Sequence, residues 1–121
     1  MIDPNVTGYW YLATPYSKYH LGLDEAFKAA AYQSAFLIKN GIMVFSPIAH
    51  SHPIADTGLL DKLDYDTFLQ LDVPFLNCAK GLIVCKLNGW DASYGVDWEI
   101  KHMHNMRKPI VYMEPGIVPI L

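Results

Sequence analysis

Apolar residues along this chain fall into short compact blocks alternating with longer stretches of helical spacing. Gly8 to Ala13 (GYWYLA) is brief, rich in aromatics and stopped by Thr14-Pro15, which predicts a first strand ending in a turn. Gly22 to Asn40 carries Ala26, Phe27, Ala30, Ser34 and Leu37 at helical intervals. It opens with Asp24 and Glu25 and closes on Lys39-Asn40-Gly41, so both ends of a helix are marked. Ile42 to Phe45 is a second apolar block, halted by Ser46-Pro47. Strand, helix and strand in that order predict a right-handed parallel βαβ unit.

Residues 46–60 hold prolines, two histidines and a Thr-Gly pair, and read as a long loop of the kind that carries function. Asp61 to Asn77 is helical in pattern through Leu63, Phe68, Leu71 and Phe75, with Pro74 expected to kink it or mark a restart. Ala79 to Leu87 predicts a third strand, Ser93 to Arg107 a helix and Pro109 to Met113 a fourth strand. Val118 to Leu121 offers a short fifth. There are no repeats, low-complexity tracts or linkers. The alternation predicts one α/β domain over residues 1–121, of Rossmann or flavodoxin type, with a four- to five-stranded, mostly parallel sheet flanked by helices.

Composition narrows the partners. The chain has 121 residues, 52% of them hydrophobic, enough for one real core. Its net charge of −3 comes with scattered Lys and Arg, which argues against a nucleic-acid polymer and for a small molecule. No apolar run approaches the roughly 20 residues that span a bilayer, and the first residues lack the pattern of a secretion signal. No membrane partner and a cytoplasmic location are expected. Cys78 and Cys85 match neither a redox nor a zinc spacing and are expected to be reduced core residues.

In a parallel sheet the loops after the strands converge on one edge. Here that edge receives Thr14-Pro15-Tyr16-Ser17-Lys18, then Ser46-Pro47-Ile48-Ala49-His50-Ser51-His52, then Asn88 to Gly95. Lys18 is the candidate anion contact of the first. Ser93 and Gly95 open a helix whose free N–H groups favour an anion, although serine is equally an ordinary helix cap. Glu99 follows Gly95 by four residues, on the same helix face, where the dipole is expected to keep it ionised. An ionised, positioned glutamate can attack an electrophilic carbon, as in retaining glycosidases. Asp72 stands among Phe68, Phe75 and Leu76, where a carboxylate is expensive unless it has a partner or a task. His102 and His104 cannot easily share an ion on a helix, and His50 with His52 would need a third ligand, so no metal is expected. Loop histidines contacting a phosphate or a base fit better.

The order Tyr11-Leu12-Ala13-x-Pro15-Tyr16, then Asp72, then Asp91-x-Ser93-x-Gly95-x-x-x-Glu99, resembles the nucleoside 2-deoxyribosyltransferase superfamily, which includes the nucleoside 5′-monophosphate N-glycosidases. The Ser-Pro-x-x-His-Ser-His segment suggests one of its small branches, and the correspondence spans nearly the whole chain. The resemblance implies that Glu99 attacks the anomeric carbon to form a glycosyl-enzyme and that Asp72 orients it or handles protons and sugar hydroxyls. It also implies that Tyr11 or Tyr16 lies by the sugar or the nucleophile, and that Ser93 and Gly95 face a 5′-phosphate. The chain departs from those glycosidases in offering Ser17 and Lys18 where they carry an arginine-bearing segment, and in a loop from Asn88 to Asp91 lengthened by Trp90. That tryptophan either stacks on a base or packs the loop. The activity so implied is N-glycosyl hydrolysis or 2-deoxyribosyl transfer on nucleosides or their 5′-monophosphates, without a cofactor, in a homo-oligomer. The alternatives are a nucleotide-binding module without turnover and a metal-dependent hydrolase using His50 and His52.

Overall fold

The computed structural model describes residues 4–121. Four parallel strands form a single sheet: β1 (Trp10–Ala13), β2 (Val44–Phe45), β3 (Gly81–Cys85) and β4 (Ile110–Met113). Four helices connect and flank them: α1 (Leu23–Lys39), α2 (Pro47–Gly58), α3 (Tyr65–Cys78) and α4 (Tyr94–Asn105). A short 3₁₀ turn, Trp90–Ala92, precedes α4. This is an α/β domain of Rossmann or flavodoxin type.

The strand order is β2-β1-β3-β4. The chain steps from β1 to one side and then returns to place β3 on the other, so the connections diverge between β1 and β3. A crevice must open there at the carboxyl ends of the strands. Register is fixed by alternation. Tyr11, Ala13, Leu82 and Val84 point to one face, where they pack with Leu76 and Ala79 around α3 and with Val96 and Met103 of α4. Trp10, Leu12, Ile83 and Cys85 point to the other, onto Leu37 of α1. Both faces are covered, which is why β1 and β3 read as unbroken apolar runs rather than as alternating ones.

Residues 46–60 are not a loop. Ser46 accepts a hydrogen bond from the Ala49 N–H at 3.1 Å, and Pro47 occupies the first helical turn, where a missing N–H costs nothing. The prolines that suggested a loop therefore start a helix, which ends at Leu59 in the left-handed conformation. The next helix starts at Tyr65 rather than Asp61, because Asp64 caps it by accepting from the Thr67 N–H at 3.3 Å and the Thr67 hydroxyl at 2.8 Å. It runs through Pro74, so Asp72 lies inside a continuous helix.

The fifth strand does not form. After β4 the chain turns with the Ile117 N–H donating to the Glu114 carbonyl, and β4 remains the edge. Pro115, Gly116 and Pro119 explain this, since proline cannot donate to a ladder. The cysteines also divide: Cys85 is buried in the sheet, whereas Cys78 is exposed at the end of α3. No helix among the described residues is long and apolar enough to cross a membrane.

Candidate active site

The crevice at the carboxyl edge of β1 and β3 opens into a cavity, about 660 Å³ when the open space of its mouth is counted. Thr14, Tyr16 and Ser17 line it from the loop after β1. Ile48, Ser51 and His52 line it from α2, Phe68, Leu69 and Asp72 from α3, and Ser93, Gly95 and Glu99 from the start of α4. The lining thus divides between α2, backed by α1, and α3 with the start of α4, with the loop after β1 between them.

On the α3–α4 wall two carboxyl groups are buried beside one phenol. Glu99 is 4% exposed, Asp72 7% and Tyr11 not at all. Tyr11 comes from the middle of β1, beneath the cavity, and its phenol stands close enough to both carboxyls to hold down the rise in each one's pKa. Burial pushes Glu99 up to about 8, with the Asp72 charge adding and the Tyr11 phenol opposing. Burial likewise pushes Asp72 up to about 7 against the same phenol. The Tyr11 hydroxyl is itself raised well above the ordinary range by burial first and by the two carboxyl charges next.

The expectation that the helix dipole keeps Glu99 ionised is therefore corrected. A dipole contributes about 0.3–1 kcal/mol and fades beyond the first turn, whereas Glu99 is the sixth residue of α4 and desolvation of a buried carboxylate costs several kcal/mol.

The buried side-chain polar atoms without a partner at hydrogen-bonding geometry, among the described residues, are Tyr11 Oη, Thr14 Oγ1 and Asp72 Oδ1. All three belong to the floor or lining of this one cavity. Leaving such groups unmade costs on the order of 1–3 kcal/mol each, a cost that a polar ligand entering the cavity would offset.

Across the cavity, the Tyr16 hydroxyl and His52 Nδ1 are 2.5 Å apart, and His52 Nε2 lies 3.0 Å from Asp24 Oδ1 on α1. The imidazole is 5% exposed and stacks on Phe27, with ring centroids 4.7 Å apart. Near the mouth, Ser17 accepts a hydrogen bond from Tyr65. Ser93 caps α4 by accepting from the Val96 N–H at 3.3 Å, and apart from the adjoining backbone of its own helix nothing lies within 4 Å of where a Gly95 side chain would begin. The opening of α4 is thus bare backbone facing the cavity.

Glu99, Asp72, Tyr16, Ser17, His52, Ser93 and Gly95 thus border one space, with Tyr11 just below it. His50, Lys18, Trp90 and Asp91 do not line it. As α2 is a helix, His50 and His52 project in different directions: His50 is exposed and tilts against Phe45 and Phe75. Lys18 borders an adjoining shallow depression with Asp66 and Tyr94, which meets the cavity at Ser17 and Tyr65. Its backbone lies so close to Gly89 that a side chain there would strike the Lys18 carbonyl, and Gly89 holds φ +89°. That contact locks the loop after β1 to the loop after β3. Trp90 packs its ring against Tyr112, 5.8 Å between centroids, with the Lys86 ammonium over it; packing, not an open stacking face, is what it supplies. Asp91 is exposed on the 3₁₀ turn.

Sequence reasoning brought Thr14 to this edge without giving it a role and missed Tyr65 and Lys62; all three line the cavity. Lys62 pairs with Asp56 at 2.6 Å and is the one ammonium at the cavity among the described residues. Only the helical start at Pro47 could have signalled it, by setting the α2–α3 turn over the strand ends. Among the described residues no three His, Cys, Asp or Glu side chains are grouped so as to hold a metal ion.

Residues 8–115 match the family described as "Domain of unknown function (DUF1937)", and the chain belongs to that family. No functionally curated protein matches it.

Both carboxyls bind protons more tightly folded than unfolded, so the unfolded chain loses its protons first as pH rises and stability falls. We expect urea denaturation to show the protein less stable at pH 8.5 than at pH 5 by several kcal/mol. Glu99→Gln should flatten most of that slope; a profile unchanged by the substitution would contradict the burial of an ionisable Glu99.

Proposed function

We propose that this member of the family is a retaining N-glycosyl enzyme acting on nucleosides or nucleoside 5′-monophosphates, with Glu99 as the nucleophile. One observation carries the reading: a buried glutamate and aspartate share a phenol at the floor of a cavity whose unpartnered polar atoms are gathered there. In such a mechanism Glu99 attacks C1′, the base departs, and water or a second base displaces the glutamate. In the empty site Glu99, the higher of the two, keeps its proton; attack requires that proton to pass to solvent as substrate displaces water, leaving Glu99 charged. Asp72 Oδ1 and Thr14 Oγ1 offer partners to sugar hydroxyls. Ser17, Ser93 and the bare backbone at Gly95 offer donors to a 5′-phosphate, with Lys62 nearby as the cation.

A second reading has its own support. A Glu99 held at about 8 is largely protonated at neutral pH in the empty site, and a protonated glutamate is a hydrogen-bond donor rather than a nucleophile. A binding module without turnover would use it so. Glu99→Gln copies the protonated shape and separates the two.

We extend the proposal to a homo-oligomer, as the resemblance to the 2-deoxyribosyltransferase superfamily implies, and to a cytoplasmic location, as the expectation from the sequence has it. Leu59, Leu60 and Leu63, 92%, 51% and 46% exposed, crown the α2–α3 turn beside Lys62 at the cavity mouth. A second copy seated on that turn would cover this apolar surface and narrow the entrance. Light scattering at micromolar concentration should return the mass of two or more chains; a single-chain mass would contradict it.

Wild type incubated with ribo- and deoxynucleosides and their 5′-monophosphates should release free base, read by chromatography, and the better series reports whether the phosphate is recognised. Glu99→Gln should lower release at least about 10³-fold while still binding. A new nucleoside formed from an added base would identify transfer. Binding without base release from any of these substrates would favour the module.

A further inference from the structure

We infer that Tyr16, His52 and Asp24 form a proton relay that protonates the departing base from the side of the cavity opposite Glu99. The inference rests on the glycosyl reading and assigns a proton donor, a role that reading leaves unfilled.

Glu99 and Asp72 belong to the α4 and α3 wall and meet at one phenol, Tyr11. A displacement at C1′ needs its proton donor on the leaving-group side, away from the nucleophile. The facing wall carries one continuous chain of hydrogen bonds. Tyr16 lines the cavity, its hydroxyl meets His52 Nδ1, and His52 Nε2 meets the Asp24 carboxylate. A carboxylate only accepts, so Nε2 carries a proton and Nδ1 is the nitrogen that exchanges one with the phenol. Stacking on Phe27 and burial between α1 and α2 hold the ring in that plane. Asp24 is a positioning residue, exposed at its outer side and touching no ligand space.

The step balances as follows. It starts with Glu99 ionised, its proton having passed through solvent to the relay: His52 is doubly protonated, Nδ1–H donates to Tyr16 Oη, and the phenolic proton points into the cavity. As a Glu99 oxygen bonds to C1′, the C1′–N bond breaks and its electron pair goes to the base. The base takes the phenolic proton, and Tyr16 Oη takes the Nδ1 proton, leaving His52 neutral. In the second half, water attacks C1′ from the same side. Its proton returns through Tyr16 to His52 as the Glu99–C1′ bond breaks. A relay rather than a lone phenol is needed here. Burial first, then the charges of Asp24 and Asp56 and the neighbouring Tyr65, push the Tyr16 hydroxyl up to about 12, so a free phenolate would be a poor product. Replacement of the proton from Nδ1 avoids it.

The test compares two leaving groups. Natural bases need the proton. A 4-nitrophenyl 2-deoxyriboside, which expels a stable phenolate, and an N7-methylated purine nucleoside, already positively charged, do not. Tyr16→Phe and His52→Gln should slow release of the natural base by about 10²-fold or more, and slow release from at least one activated substrate far less. Asp24→Asn should fall between wild type and His52→Gln. Thermal unfolding confirms that each variant is folded. Equal slowing of natural and activated substrates, or no slowing of either, overturns the relay. Wild type that cleaves none of these substrates rejects the glycosyl reading itself, and the relay with it.

Discussion

Two carboxyl groups withdrawn from water beside one phenol set the terms for the rest of this structure. Such burial is unfavourable by several kcal/mol unless the charge is absent or answered, and here the fold answers with protons: both groups sit well above the ordinary carboxylate range. The arrangement requires three elements to arrive together. Tyr11 must come from the buried middle of β1, Asp72 from an unbroken α3 despite Pro74, and Glu99 from beyond the first turn of α4. The divergence of the chain between β1 and β3 makes this meeting possible, because it leaves the strand ends open where a single winding direction would close them.

The packing that supports the site is divided in the same way. One face of the sheet holds the carboxyl wall through Leu76, Val96 and Met103. The other is covered by α1, which also supplies Phe27 and Asp24 to the imidazole. Gly89 ties the loops after β1 and β3 into one rim. The polar cavity is therefore a gap between these two packed sides, which also touch each other where His50 of α2 meets Phe75 of α3 and where Tyr65 donates to Ser17, and it is suited to a ligand that bridges them.

Much of this was readable from residue spacing. The α/β alternation, the strand-end convergence and the i, i+4 relation of Gly95 to Glu99 depend on local geometry, which sequence expresses directly. What escaped depended on competition between effects. Pro47 and Pro53 look like loop residues until Ser46 is recognised as a cap, and only then does His52 turn inward while His50 turns out. A favourable dipole at Glu99 was visible in the sequence, whereas the larger desolvation was not, because burial is a property of three elements at once. Trp90 could be placed on a loop but not faced, since its partner Tyr112 comes from the far strand β4. Lys62 and Tyr65 carry no pattern of their own and reach the cavity only through the α2–α3 turn.

A covalent bond on Glu99 is the most direct test of the central claim. A 2-fluoro-2-deoxynucleoside, whose glycosyl-enzyme should form and break down slowly, would be mixed with the protein and intact mass followed by peptide mapping. One sugar unit added per chain, carried on the peptide containing Glu99 and lost on addition of an acceptor base, is the predicted result. Base released in amounts matching the enzyme with no adduct, or an adduct on any residue other than Glu99, would contradict a retaining mechanism through this glutamate.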